Sequence, residues 1–174
     1  MPVISLGVAG DEIIAGTGFG LVHRPLAEIL GPNLTTGAPR LINVSSRGVV
    51  APGGSLIVGF VVTGGAPKRL LVRGVGPGLT ALGMAGAMTD PRLDVFRGAT
   101  GSNAAIAAID NWNDAPNDSA TLSATAASAG AFPLAASSRD AALIGNFSPG
   151  TYTVQLTGAD GGGGAVLIEI YELP

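Results

Sequence analysis

The chain carries unusually little charge. Only 12% of its 174 residues are Asp, Glu, Lys or Arg, and its mean hydropathy is +0.46, whereas a typical soluble domain has roughly 25% charged residues. Glycine, proline or a polar residue nevertheless interrupts every apolar run well before the ~20 residues that a membrane-spanning helix needs. Membrane insertion is therefore not expected. The excess apolar surface instead predicts burial against another protein subunit.

Lysine, histidine and cysteine are also scarce or absent. Lys68 is the only lysine among nine basic residues and the net charge is −3, so nucleic acid, which needs a clustered basic face, is not an expected partner. The lack of cysteine excludes disulfides and thiolate chemistry. His23 is the sole histidine and cannot form a multi-histidine metal site. No Gly-x-Ser-x-Gly nucleophile motif is present, and we do not expect an enzyme.

The sequence predicts two parts, an apolar N-terminal arm at residues 1–39 and a β-sandwich domain at residues 40–174. Residues 2–8, 12–15 and 19–23 of the arm read as strands, and residues 26–30 as a helical turn. The arm lacks the basic and long apolar regions of a signal peptide. Two interpretations stay open: the arm pairs with its own sheet, or it adds a strand to a neighbouring subunit. The side chains predicted to insert in the second case are Val3, Ile4, Leu6, Val8, Ile13 and Ile14.

Short β-rich runs separated by glycine-containing turns continue from Arg40 to the C-terminus. They predict an all-β fold, an antiparallel β-sandwich of Ig-like or jelly-roll-like type. The predicted strands are residues 41–45, 55–63, 68–73, 92–97, 104–110, 141–144, 151–157 and 165–171. The glycine-rich breaks at residues 63–67 and 158–164 predict hairpins between their flanking strands. One short helix is expected at residues 119–129, with a further helical turn at residues 79–84.

Seven motifs follow one another over about three quarters of the chain. They are residues 40–48, 67–79 and 90–96, Asp110-Asn-Trp112, and residues 140–143, 149–154 and 166–172. In these motifs, residues 40–172 resemble a repeat-type β-domain found in large secreted proteins of environmental bacteria. The resemblance implies an extracytoplasmic sandwich used for attachment or display, at the cell surface or outside the cell. It implies no known chemistry.

A cluster of oxygen-bearing side chains surrounds the only tryptophan, Trp112: Asp110, Asn111, Asn113, Asp114, Asn117 and Asp118. Calcium takes six to eight oxygen ligands, so calcium held by Asp110, Asp114 and Asp118 is one hypothesis. The spacing is not that of an EF-hand. Asn and Asp also stabilise turns, and Asp118 or Ser119 would cap the following helix. We favour a hydrogen-bonded turn, with Trp112 packed over the sandwich edge and not stacked on a sugar.

The segment Gly74-Val-Gly-Pro-Gly78 superficially resembles a phosphate-binding loop. It lacks the Gly-Lys-Ser/Thr ending of such loops, and Pro77 removes one backbone donor from the cradle. The glycines therefore predict a tight corner.

Together these features predict a non-enzymatic extracellular protein that self-assembles into a filament, tube or surface layer. No cofactor is expected, and a structural calcium ion stays only the alternative to the hydrogen-bonded turn. The alternative is a cell-surface adhesion or polysaccharide-binding module, centred on residues 110–118, that binds polysaccharide or another surface ligand with or without calcium.

Overall fold

The computed structural model describes residues 3–9, 12–17, 20–25, 42–100, 104–114 and 117–174. The chain divides into two compact units, Met1–Ile42 and Asn43–Pro174. The first unit contains β1 (Val3–Ala9), β2 (Glu12–Thr17) and β3 (Gly20–Pro25), which form an antiparallel sheet with β2 in the centre. The helical turn predicted at residues 26–30 lies outside the described residues.

The second unit is an antiparallel β-sandwich with two short helices, and this confirms the predicted fold class. Its elements are β4 (Asn43–Val50), β5 (Ser55–Val62), β6 (Lys68–Val75), α1 (Pro77–Ala81), β7 (Pro91–Arg97), β8 (Ala107–Ile109), α2 (Ser119–Ser128), β9 (Ala141–Phe147), β10 (Gly150–Gly158) and β11 (Gly164–Glu172). One sheet has the strand order β4-β11-β6-β9 and the other β5-β10-β7-β8. All neighbouring strands are antiparallel.

The main core lies between the two sheets because alternate residues of each strand point inward. On β10 the alternating residues Tyr152, Val154 and Leu156 are buried, and on β7 Leu93 and Val95 are fully buried. At one end of the core the rings of Phe60, Phe147 and Tyr152 lie 5.1–5.6 Å apart. Apolar alternation in the sequence is thus converted directly into the inter-sheet contact.

Both predicted hairpins are wrong. β5 and β6 lie in different sheets, and so do β10 and β11. Among the described strands of the sandwich, only β7 and β8 are sequential neighbours that pair with each other. A glycine-rich loop reverses the chain equally well within a sheet or across the two layers. The choice depends on which sheet can bury the next strand.

β4 ends five residues later than predicted, and the glycine-containing turn before β5 is correspondingly shorter. The strand continues to Val50, and the chain turns at Gly53, which has a φ of 71°. A Cβ on Gly48 would lie 3.2 Å from a methyl carbon of Leu56. Glycine at this position therefore allows β4 and β5 to approach closely and does not mark a turn.

Helix α2 covers the outer face of the β4-β11-β6-β9 sheet and confirms the helix predicted at residues 119–129. Asp118 caps its N-terminus by accepting hydrogen bonds from the backbone amides of Ala120 and Thr121. At its other end Gly130, with a φ of 78°, forms a Schellman-type cap. A second buried cluster under this cover includes Leu71, Trp112, Leu122 and Tyr171.

In the part of the chain that the structure describes, no helix combines the length and the apolar character that crossing a membrane would need.

The glycine-rich corner after β6 is organised by a buried carboxylate. Asp140 is fully buried and accepts hydrogen bonds from the backbone amides of Gly76, at 2.8 Å, and Gly78, at 3.1 Å. A Cβ on Gly76 would lie 2.3 Å from the carbonyl oxygen of Met88. The amides that resemble a phosphate cradle are thus already bound to a side chain of the same chain, as expected for a structural corner.

Replacing Asp140 should destabilise the sandwich. Asp140→Ala leaves buried amides without an acceptor, at about 1–3 kcal/mol each, so we expect urea denaturation to show a loss of about 2–4 kcal/mol in the free energy of unfolding. Asp140→Asn keeps one acceptor oxygen and should lose less. Asp160→Ala is the control because its carboxylate binds the amide of Gly162 in an exposed loop. Equal losses for Asp140→Ala and Asp160→Ala would contradict this role.

Candidate interaction surface

The Asn and Asp side chains of residues 110–118 are used mostly for local hydrogen bonds. Asn111 Nδ2 donates to Asp114 Oδ2 at 2.8 Å, and Asn113 Nδ2 donates to the carbonyl oxygen of Ala136 at 2.6 Å. The carboxylate of Asp118 also accepts from the hydroxyl of Thr121 at 2.6 Å, and these bonds hold its pKa below the usual value. This is the pattern of a hydrogen-bonded turn leading into a capped helix.

Asn117 and Trp112 close the outer side of β9. The backbone amide of Trp112 donates to the carbonyl oxygen of Asp140 at 2.8 Å, and Asn117 Nδ2 donates to the carbonyl oxygens of Trp112 and Ala142 at 3.0 Å. The Trp112 ring is only 5% exposed, and its Nε1 donates to the carbonyl oxygen of Ala135. The ring therefore packs at the sandwich edge and presents no open face to a sugar.

The three carboxylates of the calcium hypothesis have different environments. Asp118 is occupied as a helix cap. Burial raises the pKa of Asp110, the charges of Asp90 and Asp114 raise it further, and the charges of Arg92 and Arg139 oppose them. Within the described ranges, no group of three or more His, Cys, Asp or Glu side chains is arranged to hold a metal ion. The shielded Oδ1 atoms of Asp90, Asp110 and Asn111 nevertheless have no hydrogen-bond partner there.

A buried ion pair lies beneath the segment that follows α2. Arg73 on β6 and Glu169 on β11 are register partners, with Nη1 and Oε2 3.4 Å apart and the Arg73 side chain fully buried. The Phe132 ring covers the guanidinium at 4.4 Å, and Tyr171 donates to Glu169 Oε1 at 2.9 Å. Burial, with this hydrogen bond, raises the pKa of Tyr171 to about 12. The cluster is enclosed and structural.

The two edge strands of each sheet differ in their length and in whether the backbone groups along the edge are already hydrogen-bonded. β4 and β5 are the edge strands on one side of the sandwich, and each is eight residues long. Among the described strands, β4 pairs only with β11 and β5 only with β10. On the opposite side β8 has only three residues, and Trp112 and Asn117 occupy carbonyls beside β9. The β4/β5 side is therefore the open one.

Exposed apolar side chains concentrate on that open side. Five of the seven large hydrophobic residues that are exposed in the described ranges lie on β4, on β5 or immediately before β4: Ile42, Val44, Val49, Ile57 and Val61. Val49 is 84% exposed. Arg47 is the only charged residue in the two strands. We call these two edge strands, with their exposed side chains, the open edge.

The inner row of β4 also leaves the core incompletely covered. Val44 pairs in register with Ile170, a member of the inter-sheet core, yet Val44 itself is 45% exposed. By contrast, Leu56, Val58 and Phe60 on β5 pack against that core. The margin of the core at β4 thus retains apolar surface that a further strand would bury.

The predicted assembly residues divide between two strands of the N-terminal sheet. Val3, Ile4, Leu6 and Val8 belong to the outer strand β1, whereas Ile13 and Ile14 belong to the central strand β2. In register, Ile13 lies opposite Val8 of β1 and Arg24 of β3. If β2 were donated to a neighbouring copy, it would lose its pairing with both β1 and β3. Of these two strands, only β1 therefore stays a candidate donor strand.

Two apolar hollows flank the loop at residues 131–138. A groove of about 480 Å³ runs beside α1 and includes Leu82 and Phe132. A smaller hollow of about 200 Å³ lies between Trp112 and α2. Both are lined mainly by apolar and small side chains, and neither lining includes a charged side chain.

Sequence reasoning missed the open edge and the structural roles of Asn117 and Asp140. The apolar run of residues 55–63 predicted a strand but gave no indication that it would lie at an edge. The low charge of residues 43–62, which contain only Arg47, even favoured a central position. Edge strands normally carry charges or proline that prevent pairing with other chains.

Removing the Asn117 amide should open the β9 side. Asn117→Ala leaves the Ala142 carbonyl without this donor, and we expect the free energy of unfolding to fall by about 1–3 kcal/mol, measured by thermal and urea denaturation. Asn113→Ala removes a comparable bond from an exposed loop and should cost clearly less. The role of Asn117 in closing the edge would be refuted by identical losses in the two variants.

No protein-family model matches the chain, and no curated protein is similar to it. Among solved structures, the pre-peptidase C-terminal domain of a collagenase from Bacillus anthracis is 12% identical with a TM-score of 0.45, covering 78% of this chain and 99% of that one. A mitogen derived from Yersinia pseudotuberculosis is 10% identical with a TM-score of 0.42, covering 74% and 84%. At these values neither neighbour carries a functional argument. The resemblance to repeat-type β-domains stays a prediction.

Proposed function

We propose that this protein is a non-enzymatic extracellular structural protein that self-assembles into a filament, tube or surface layer, with the N-terminal arm supplying the added strand. The observation that carries the proposal is the open edge, where eight-residue edge strands and most of the exposed hydrophobic side chains coincide. The extracellular location rests on the sequence resemblance of residues 40–172.

The physical case for association combines two requirements. Backbone N–H and C=O groups along an edge strand gain hydrogen bonds when another strand is added. The exposed valine and isoleucine side chains gain about 25 cal/mol for each Å² of apolar surface removed from water. A soluble monomer would ordinarily avoid having both features on the same strands. Their combination here supports a surface made to be covered.

Non-enzymatic character is part of the proposal. Arg73, Glu169 and Tyr171 are enclosed beneath the segment after α2, and Asp140 is occupied by backbone amides. These are the chemically notable groups that the fold brings together in the described ranges. Each has a structural role, and none faces a cavity in which a substrate would react.

A lysine on the open edge should prevent assembly. In Val49→Lys, a charged side chain replaces the most exposed of the large hydrophobic residues, so pairing with another strand would require burying or repelling that charge. We expect negative-stain electron microscopy and sedimentation velocity to show ordered assemblies for the native chain and dispersed particles for Val49→Lys, with the melting temperature little changed.

Ile106→Lys is the matched control for this variant. Ile106 is 54% exposed and lies just before β8, on the opposite side of the sandwich. It should assemble like the native chain. Dispersed particles for the native chain would refute self-assembly. Normal assembly of Val49→Lys would instead show that the open edge takes no part in assembly.

The alternative function, an adhesion module that binds calcium and cell-surface polysaccharide, is favoured by one observation. The Oδ1 atoms of Asp90, Asp110 and Asn111 are shielded from solvent and lack hydrogen-bond partners among the described residues. Bound calcium would supply a positive charge beside carboxylates that raise the pKa of Asp110. Because Trp112 is buried, a polysaccharide site would need a different aromatic or polar surface.

Calcium-dependent melting tests this alternative. Calcium at 100 times its dissociation constant would add about 2.7 kcal/mol to the free energy of unfolding, and Asp110→Asn should abolish the increase while Asp160→Asn retains it. Because the pKa of Asp110 is raised, the effect should weaken as the pH falls and the carboxyl becomes protonated. An unchanged melting temperature in calcium and in chelator would reject the calcium site.

A further inference from the structure

We infer that β1 of one copy adds to the β4 side of the open edge of a second copy, so that the assembly is polar and head-to-tail. This inference rests on the proposed self-association and specifies the two strands that meet. It follows from a comparison of the outer strands in both units, taken one unit at a time.

In the N-terminal sheet the two outer strands have opposite character. The last three residues of β3 are His23, Arg24 and Pro25, and proline supplies no backbone donor while charge opposes strand pairing. β1 contains neither a charged residue nor proline. The sequence of this sheet therefore protects the β3 edge and leaves the β1 edge suited to pairing.

The sandwich shows the same asymmetry. β8 is too short to accept a full strand, and side-chain and loop hydrogen bonds occupy carbonyls beside β9. β4 and β5 have eight residues each and no such closure in the described ranges. Each unit thus has one protected side and one unprotected side. In an assembly, the unprotected edge of the N-terminal sheet in one copy would pair with the unprotected edge of the sandwich in another copy.

Within the open edge, β4 is the better acceptor. The inner row of β5 is already packed against the core through Leu56, Val58 and Phe60. Val44 on the inner row of β4 remains 45% exposed beside the buried Ile170. An added strand at β4 would extend the sheet and place its own apolar row over this uncovered margin.

The sequence of β1 matches that requirement. β1 has seven residues and β4 eight, and β1 pairs regularly from Ser5 to Ala9, so the two strands could pair over most of their lengths. Large apolar residues, Ile4, Leu6 and Val8, alternate with small or polar ones, Ser5, Gly7 and Ala9. In strand addition the alternate positions supply side chains to the acceptor while the backbone supplies hydrogen bonds.

The pairing of β1 with β4 determines the symmetry of the assembly. The two strands are different surfaces of the chain, so each copy presents one donor and one acceptor. Such a heterologous contact repeats without closing unless the rotation between copies happens to form a ring. The expected product is a linear polymer with one free β1 at one end and one free β4 at the other.

Cysteine cross-linking tests the pairing cleanly because the chain contains no cysteine of its own. One copy carries Ser5→Cys on β1, and a second carries Ser45→Cys or Ser46→Cys on β4. Ser45 and Ser46 point to opposite faces of the sheet because they are neighbours in a strand. One of the two therefore lies on the same face as Ser5, whichever face of the added strand points inward. After mixing during assembly, oxidation or a short bis-maleimide should yield covalent dimers. Ser123→Cys, exposed on α2, is the control partner and should yield none.

A single chain that carries Ser5→Cys together with the productive β4 cysteine should give a covalent ladder of dimers, trimers and longer species. Each single variant must first form normal assemblies without cross-linker. Assemblies that form normally but cross-link no better than the Ser123→Cys control overturn this pairing and leave self-assembly standing. A cross-linked monomer from the double variant, without mixed dimers, overturns it in favour of pairing within one chain. If the native chain forms no assemblies, the proposed function itself fails.

Discussion

Unpaired backbone groups at sheet edges are the constraint around which this protein is arranged. Every strand residue other than proline brings one donor and one acceptor, and these groups need partners when they leave water. In the interior of the two sheets the antiparallel ladders meet that need. Beside β9 it is met by Trp112 and Asn117. Along β4 and β5 the described residues supply no equivalent closure, and the exposed apolar side chains occur there as well.

Several of the few charged residues are buried, and this helps to explain why the surface is apolar. Arg73, Glu169 and Asp140 are all buried, although charged residues are the type least often placed inside a protein. Each compensates for desolvation with a defined partner: an ion pair, an aromatic ring or backbone amides. A chain with few charges thus uses some of them to fix internal geometry. Fewer remain to cover the outside, and apolar side chains occupy the open edge.

The proposed function and the proposed strand pairing depend on different parts of this arrangement. The proposed self-assembly rests on the apolar, uncovered edge of the sandwich. The head-to-tail geometry follows from the asymmetry in each unit, where one outer strand carries proline, charge or capping side chains and the other does not. A protein selected to remain monomeric would be expected to protect both edges of each sheet. Protection of only one edge directs association without abolishing it.

The sequence by itself determined the strands, the capped helix and the glycine corner. These depend on local periodicity and turn chemistry: alternating Tyr152, Val154 and Leu156, the Asp118 cap, and the amides of Gly76 and Gly78. Only the tertiary structure decided which strands pair, since Gly48 lies within a strand and both glycine-rich loops cross between sheets. The open edge belongs to this second class. Whether residues 43–62 lie in the centre or at the edge of a sheet depends on partners 88 to 128 residues away, and local pattern holds no information about that pairing.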